Sequence, residues 1–129
     1  SLDWAPLVLF AAMFFWTPPH FWALAIKYAD DYRAAEVPML PAVVPLEYAV
    51  RQMIGHTIAM VVCTLLLVPV ADLGLLYTAA AVVLGVGFLG ATIWLARKPT
   101  AANSMRVFAL SITYVTALFA ALTVDVLIR

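Results

Sequence analysis

The residues best suited to chemistry crowd into one stretch, FFWTPPHFWALAIKYADDYRAAEVPMLP, residues 14–41. His20 follows a Pro-Pro pair, and Lys27, Asp30, Asp31 and Arg33 follow the histidine. Seven of the fourteen charged residues, Lys27, Asp30, Asp31, Arg33, Glu36, Glu47 and Arg51, lie within about a fifth of the length, so charge is concentrated here. Adjacent carboxylates repel when both are ionised, and a divalent cation relieves that. Oxygen-only donors in a wet setting suit Mg²⁺, which keeps waters and bridges to phosphates. Lys27 and Arg33 put positive charge beside the same carboxylates, where phosphate oxygens would be gripped. The rival reading is a solvated loop of mixed charge that binds nothing. Charge pattern alone leaves both open.

The rest of the chain must position that stretch, and its composition says where. The 129 residues are 67% hydrophobic and 11% charged, against about half and a quarter in a soluble domain. This is the composition of an integral membrane protein in a lipid bilayer. Zero net charge argues against nucleic acid as a partner. The lone Cys63 cannot form an intrachain disulfide and reads as a small buried hydrophobe. There is no Ser/His/Asp arrangement, zinc-ligand spacing or glycine-rich phosphate loop, so a hydrolase of soluble type is excluded.

Four apolar runs are long enough to cross a bilayer, which takes roughly 20 helical residues. They cover residues 4–26, 53–71, 73–96 and 107–124 and are expected as helices, because an open strand would leave backbone groups unpaired in lipid. The fold class is therefore all-α, a polytopic transmembrane bundle with four spans. Loops 27–51 and 97–106 carry the lysines and arginines, so the positive-inside rule puts both in the cytoplasm. The turn around Asp72 and Gly74 carries none and falls on the opposite side, with Arg129 as a dissenting charge. Ser1 is not an initiator methionine and no basic segment precedes the first run, so the sequence is expected to start partway through a longer protein.

Several local expectations follow. Pro18-Pro19 should kink or break the first span near Phe14–Thr17, with the Thr17 hydroxyl satisfying a freed carbonyl. If the helix continues to about Ala35, His20, Lys27 and Asp31 fall within about 40° of one another, a polar stripe from membrane to surface. Asp30 lies one position round, flanked by Tyr28, Tyr32 and Arg33. Pro38, Pro41 and Pro45 forbid regular helix, which makes 36–45 an extended segment. Glu47 and Arg51, four apart, should open the second helix before it enters the bilayer. His56 reads as a packed ring, with a cavity-facing role as the alternative, and Pro69 should bend the far end of its helix. Ala81 with Gly85, and Gly87 with Ala91, could let helices approach closely, and Trp94 could anchor at the interface. Pro99 stops the third span, and Thr100 or Asn103 can cap the fourth. Ser111 and Tyr114 share a face; they line a cavity or bond their own backbone.

The run 14–41, with its Pro-Pro-His, KYADDY and PMLP segments, resembles the signature region of the protohaem IX farnesyltransferase family of UbiA-type intramembrane prenyltransferases. ARKPTAANSMRVFALSITYVTALFAALTVD, residues 96–125, is similar to that family's end, through Phe108, Ser111, Tyr114, Leu118, Phe119 and Asp125. The resemblance implies a nine-helix bundle of which this chain is the C-terminal four. It implies transfer of farnesyl from farnesyl diphosphate to a vinyl group of haem B, with addition of water, giving haem O and diphosphate. Asp30 and Asp31 would hold Mg²⁺ or orient the diphosphate, and Lys27 would join them in catalysis. His20 would orient the porphyrin, ligate its iron or act as a base. Tyr28, Tyr32, Arg33, Arg106 and Tyr114 would contact substrate. The implied setting is a bacterial cell membrane, with oxidase-assembly or haem A synthase proteins as partners. Two departures stand out: the aspartates are adjacent where the superfamily has DxxxD, and Glu36 replaces an expected glycine. The first acidic motif is not in these residues; it is expected in the N-terminal half, and the fragment alone is expected to be inactive. The rivals are a non-catalytic membrane module and half of a transporter.

Overall fold

Long apolar runs in lipid must satisfy their backbone internally, and here they do so as helices. The computed structural model describes residues 4–128; Arg129 lies outside them. Four long helices, α1 (Ala5–Lys27), α4 (Leu46–Ala71), α5 (Leu75–Arg97) and α6 (Ala101–Ile128), are each long and apolar enough to cross a membrane. Between α1 and α4 lie two short helices, α2 (Ala29–Ala34) and α3 (Leu40–Val43). No strand occurs among the described residues.

The long helices form a ring in which α1 and α5 each pack on both α4 and α6. Alternating steps of three and four select the buried face: Val50, Met53, Thr57, Met60, Thr64 and Leu67 on α4, and Ser104, Val107, Ser111, Tyr114 and Leu118 on α6. That is the near-heptad seam of helices crossing at shallow angles. Small residues set the spacing. A Cβ on Gly85 would lie 3.1 Å from the Val61 methyls, so α4 and α5 touch there. Gly87 faces open space, so of the two small-residue pairs Ala81–Gly85 is the one at this contact.

The turn end of the bundle is fixed by Asp125 of α6. Its carboxylate, 2% exposed, accepts the Gly74 N–H at 2.8 Å and the Tyr77 N–H at 3.1 Å. These are donors at the start of α5 that have no partner within the helix. α5 thus takes its N-terminal capping group from a neighbouring helix, 51 positions from Gly74 in the sequence. A Cβ on Gly74 would sit 3.0 Å from Asp125 Oδ1, so glycine leaves room for that approach. Thr100 Oγ1 accepts the Asn103 N–H at 3.1 Å and caps α6 as expected.

Three expectations need correction. Of the kink or break expected at Pro18-Pro19, the break does not occur: α1 is continuous there. Pro19 is buried where α1 packs, and packing outweighs the two lost donors. Thr17 Oγ1 does donate to a carbonyl, at 2.8 Å, but to Met13 O, not to the Phe14 or Phe15 carbonyls that the prolines free. The interruption comes instead at Tyr28 (φ −106°, ψ 24°), so His20 and Lys27 share α1 while Asp30 and Asp31 belong to α2. The stripe does not continue on one helix to Asp31. Third, the 36–45 segment is not extended throughout: α3 forms inside it, with extended backbone at Met39 before it and at Val44 after it. Pro41 sits in the first turn of α3, where the missing N–H costs nothing.

Candidate functional site

His20 projects from α1 toward α6. Its ring stacks against Trp16 at 4.3 Å between centroids and 17° between planes. Phe108 of α6 also stacks with it, at 4.8 Å and 23°. Phe21 closes edge-on at 5.0 Å. His20 Nδ1 lies 2.6 Å from Ser111 Oγ. Trp16, one turn before His20, donates its Nε1–H to Ser111 O at 3.1 Å. One buried serine therefore ties two neighbouring α1 side chains to α6. The sequence placed Ser111 on a polar face but held no signal that joins it to a histidine 91 positions away.

His56 lies on the other flank of α1. Trp22 meets its ring edge-on at 5.2 Å, and Phe15 lies at 6.1 Å. Its Nδ1–H donates to Gln52 O at 2.8 Å. This is the packed ring between helices; the two histidines are not brought together.

Beyond the Tyr28 joint the charged groups are open to solvent. Lys27 Nζ sits 5.2 Å from the Tyr28 ring centroid. Arg33 donates to Asp30 Oδ1 at 2.7 Å, with the Asp30 side chain 98% exposed, and its Nε–H donates to Ala42 O at 3.0 Å. Arg33 thereby straps α2 to α3. The end of α2 closes as a Schellman turn: Val37 N–H bonds Tyr32 O at 2.9 Å and Glu36 N–H bonds Arg33 O at 3.2 Å. That turn requires a left-handed residue, and Glu36 occupies it at φ 59°. This is the physical reason a glycine was expected at position 36. Asp31 is exposed and Tyr32 half-buried on the same short helix. Glu47 and Arg51 are both exposed and form no ion pair with each other; they border a shallow cleft with Val44, Pro45 and Tyr48.

The remaining candidates sit apart from this cluster. Arg106 lies over the Trp94 ring, 5.9 Å from its centroid. Tyr114 is 2% exposed in the core, beside Phe88. Its hydroxyl is buried without a hydrogen-bond partner among the described residues. A cavity of about 120 Å³ between α5 and α6 borders it.

No group of three or more His, Cys, Asp or Glu comes together among the described residues to hold a metal. Two exposed carboxylates still fit Mg²⁺, which is usually bound by one or two carboxylates with waters and substrate phosphates completing its shell. Neighbours on a helix diverge by about 100°, so Asp30 and Asp31 present their oxygens in different directions.

Residues 1–123 match the UbiA prenyltransferase family. A protein of Kineococcus radiotolerans named protoheme IX farnesyltransferase is 48% identical over 147 residues, covering 100% of this chain and 43% of its own length. One of the same name from Frankia alni is 47% identical over 131 residues, covering 99% of this chain and 45% of its own. Another, from Tropheryma whipplei, is 41% identical over 128 residues, covering 97% and 43%. The chain spans less than half the length of these curated relatives. No solved structure matches it.

Proposed function

The chain belongs to the UbiA prenyltransferase family, and from that premise we propose that it supplies one part of a haem O synthase site in a larger intramembrane enzyme. The proposed reaction joins farnesyl from farnesyl diphosphate to a vinyl group of haem B. The C1–O bond breaks and its electron pair leaves with diphosphate. The allylic C1 bonds the terminal vinyl carbon, and water adds at the adjacent carbon and loses a proton, giving haem O.

The observation that carries the reading is the open cluster of Asp30, Asp31, Lys27 and Arg33 at the end of a membrane-spanning helix. There an anionic head can be held while its isoprenoid chain stays in an apolar setting. Asp30 and Asp31 would hold Mg²⁺, whose positive charge would stabilise the departing diphosphate. Lys27 and Arg33 would grip its oxygens, so that the charge released is met by fixed cations. Tyr28 and Tyr32, at the joint, would flank the allylic carbon. We place this end in the cytoplasm, because Lys27, Arg33 and Arg51 share it with Arg97, Lys98 and Arg106. The first acidic motif would come from the rest of the protein, so this chain alone would be inactive.

The test is Asp31→Asn in the full-length protein in lipid nanodiscs. The expected result is loss of Mg²⁺-dependent diphosphate binding and a fall in haem O formation of about 10²-fold or more, the scale for removing one electrostatic stabiliser. Unchanged diphosphate binding and turnover would sink the metal role.

A further inference from the structure

A serine hydroxyl has one proton. Ser111 Oγ has two close partners: the Phe108 carbonyl at 2.6 Å and His20 Nδ1 at 2.6 Å. The carbonyl can only accept, so the serine proton goes there. Ser111 Oγ must then accept from His20, and Nδ1 carries a hydrogen. In a neutral ring that leaves Nε2 with the lone pair. Nε2 makes no hydrogen bond with the described residues and is not among their enclosed polar atoms. We propose that Ser111 is a positioning residue that locks His20 in its Nδ1–H tautomer, so that Nε2 offers its lone pair to the iron of the haem substrate. The choice of iron rests on the haem reading above; the tautomer does not.

Three further observations carry the ligand assignment. Metal-binding histidines characteristically donate their other ring N–H to a fixed acceptor, which sets tautomer and ring orientation together. Ser111 is such an acceptor, itself fully buried. The ring is also held on both faces, by Trp16 and by Phe108, and Trp16 is anchored to the same serine. So the Nε2 direction is set by three contacts before any ligand arrives.

Depth separates the iron role from the base role. His20 stands seven residues before Lys27 on α1, about 10 Å along the axis. With the diphosphate held at the charged end, C1 lies one bond away from it, close to Lys27 and α2. A base at His20 would be a helical turn and more from that carbon. The iron, by contrast, is at the centre of the macrocycle and the reacting vinyl group is at its rim. Ligation at His20 would leave the rim to reach toward the charged end.

The experiment has two arms on the full-length protein in nanodiscs. In the first, ¹⁵N-histidine NMR without haem reads the tautomer, with the His20 signal assigned by its loss in His20→Gln. A protonated Nδ1 and a lone-pair Nε2 are expected near neutral pH, with the ring shifting toward Nε2–H in Ser111→Ala. A wild-type ring found as Nε2–H, or one unmoved by Ser111→Ala, overturns the proposal. In the second, ferric haem is titrated and followed by its Soret band. His20→Ala should abolish the imidazole-ligated spectrum. Ser111→Ala should weaken haem binding by about 10- to 100-fold, and Ser111→Thr, which keeps the hydroxyl, should restore both readouts. An unchanged haem spectrum in His20→Ala overturns the iron assignment. Failure of the wild type to bind haem at all would instead overturn the functional reading, with the tautomer result standing on its own.

Discussion

Asp125 offers the most direct test of how the bundle is held. Its carboxylate accepts the Gly74 and Tyr77 N–H groups from a position 2% exposed. Asp125→Ala leaves two donors at the start of α5 without this acceptor, the Tyr77 N–H in a buried position and the Gly74 N–H at the exposed end of the helix. A hydrogen bond to a charged group contributes about 1.5–3 kcal/mol, and an anion at a helix start adds a dipole term of the same order or less. Because both bonds use one carboxylate, their losses overlap, and we expect about 3–4 kcal/mol in all. Asp125→Asn keeps the shape and one oxygen but turns an NH₂ group toward a donor, for a loss of about 2 kcal/mol. Gly74→Ala sets a Cβ 3.0 Å from Oδ1 and should cost about 1 kcal/mol by pushing the carboxylate off its partners. The assay is SDS-driven unfolding in bicelles, followed by the reactivity of Cys63, which sits half-buried in α4. The diphosphate binding proposed for the full-length protein would be unchanged in the remaining folded fraction, because Asp125 lies at the end of the bundle away from Asp30 and Asp31. An Asp125→Ala loss below about 0.5 kcal/mol, or one no greater than that of Asp125→Asn, would refute the capping argument.

Two other outcomes follow from backbone and packing geometry. Glu36→Gly removes an L-residue from a left-handed position at φ 59° and should stabilise the α2–α3 loop by about 1 kcal/mol, read as slower proteolysis within residues 34–40; Glu36→Ala, still an L-residue, should give no such protection. Gly85→Ala drives a methyl to 3.1 Å from both Val61 methyls and should destabilise by about 1–2 kcal/mol in the SDS titration, whereas Gly87→Ala, facing open space, should be neutral or gain up to about 1 kcal/mol of helix propensity.

The four spans were legible because the bilayer demands long apolar runs, and few other structures produce them. Their inner ends were less so: α4 starts at Leu46 and α6 at Ala101, each several residues before the apolar run, since a helix continues through charge once it leaves lipid. The joint was misplaced for a related reason. Pro18-Pro19 is a strong local breaker, but a proline on the packed face presents a small side chain to the neighbouring helix, and Pro19 is buried there. Tyr28 carries no breaker signal, and beyond it Arg33 of α2 bonds the Ala42 carbonyl of α3, a contact between loop residues that no local pattern announces. The charged cluster was visible in composition. The His20–Ser111 contact and the Asp125 cap were not, since each joins positions far apart that only the ring of helices brings together. Position 36 falls between: the missing glycine was noticed in the sequence, and its meaning came from the Schellman turn.

The state of Arg33 bears on how such a site would be filled. It is paired with Asp30, one of the two carboxylates that would take the metal. That pair is exposed on both sides, and exposed pairs contribute about 0–1 kcal/mol, so separating it costs little. In the proposed site a diphosphate with Mg²⁺ would give each member a stronger partner: the carboxylate would meet the cation, and the guanidinium would meet phosphate oxygens in charge-assisted hydrogen bonds. The exchange would put a cation beside the carboxylate and an anion beside the guanidinium, so neither charge would be left without a partner. It would also preserve the loop, because the Arg33 Nε–H could stay on Ala42 O while the terminal nitrogens changed partners. Arg33 would thus turn its charge from protein to substrate without releasing α3. A lysine, with one ammonium and no fork, cannot hold a carbonyl and a phosphate in that fixed geometry. The same short helix that carries both aspartates therefore also carries the cation paired with Asp30, which in the proposed exchange would pass to the substrate.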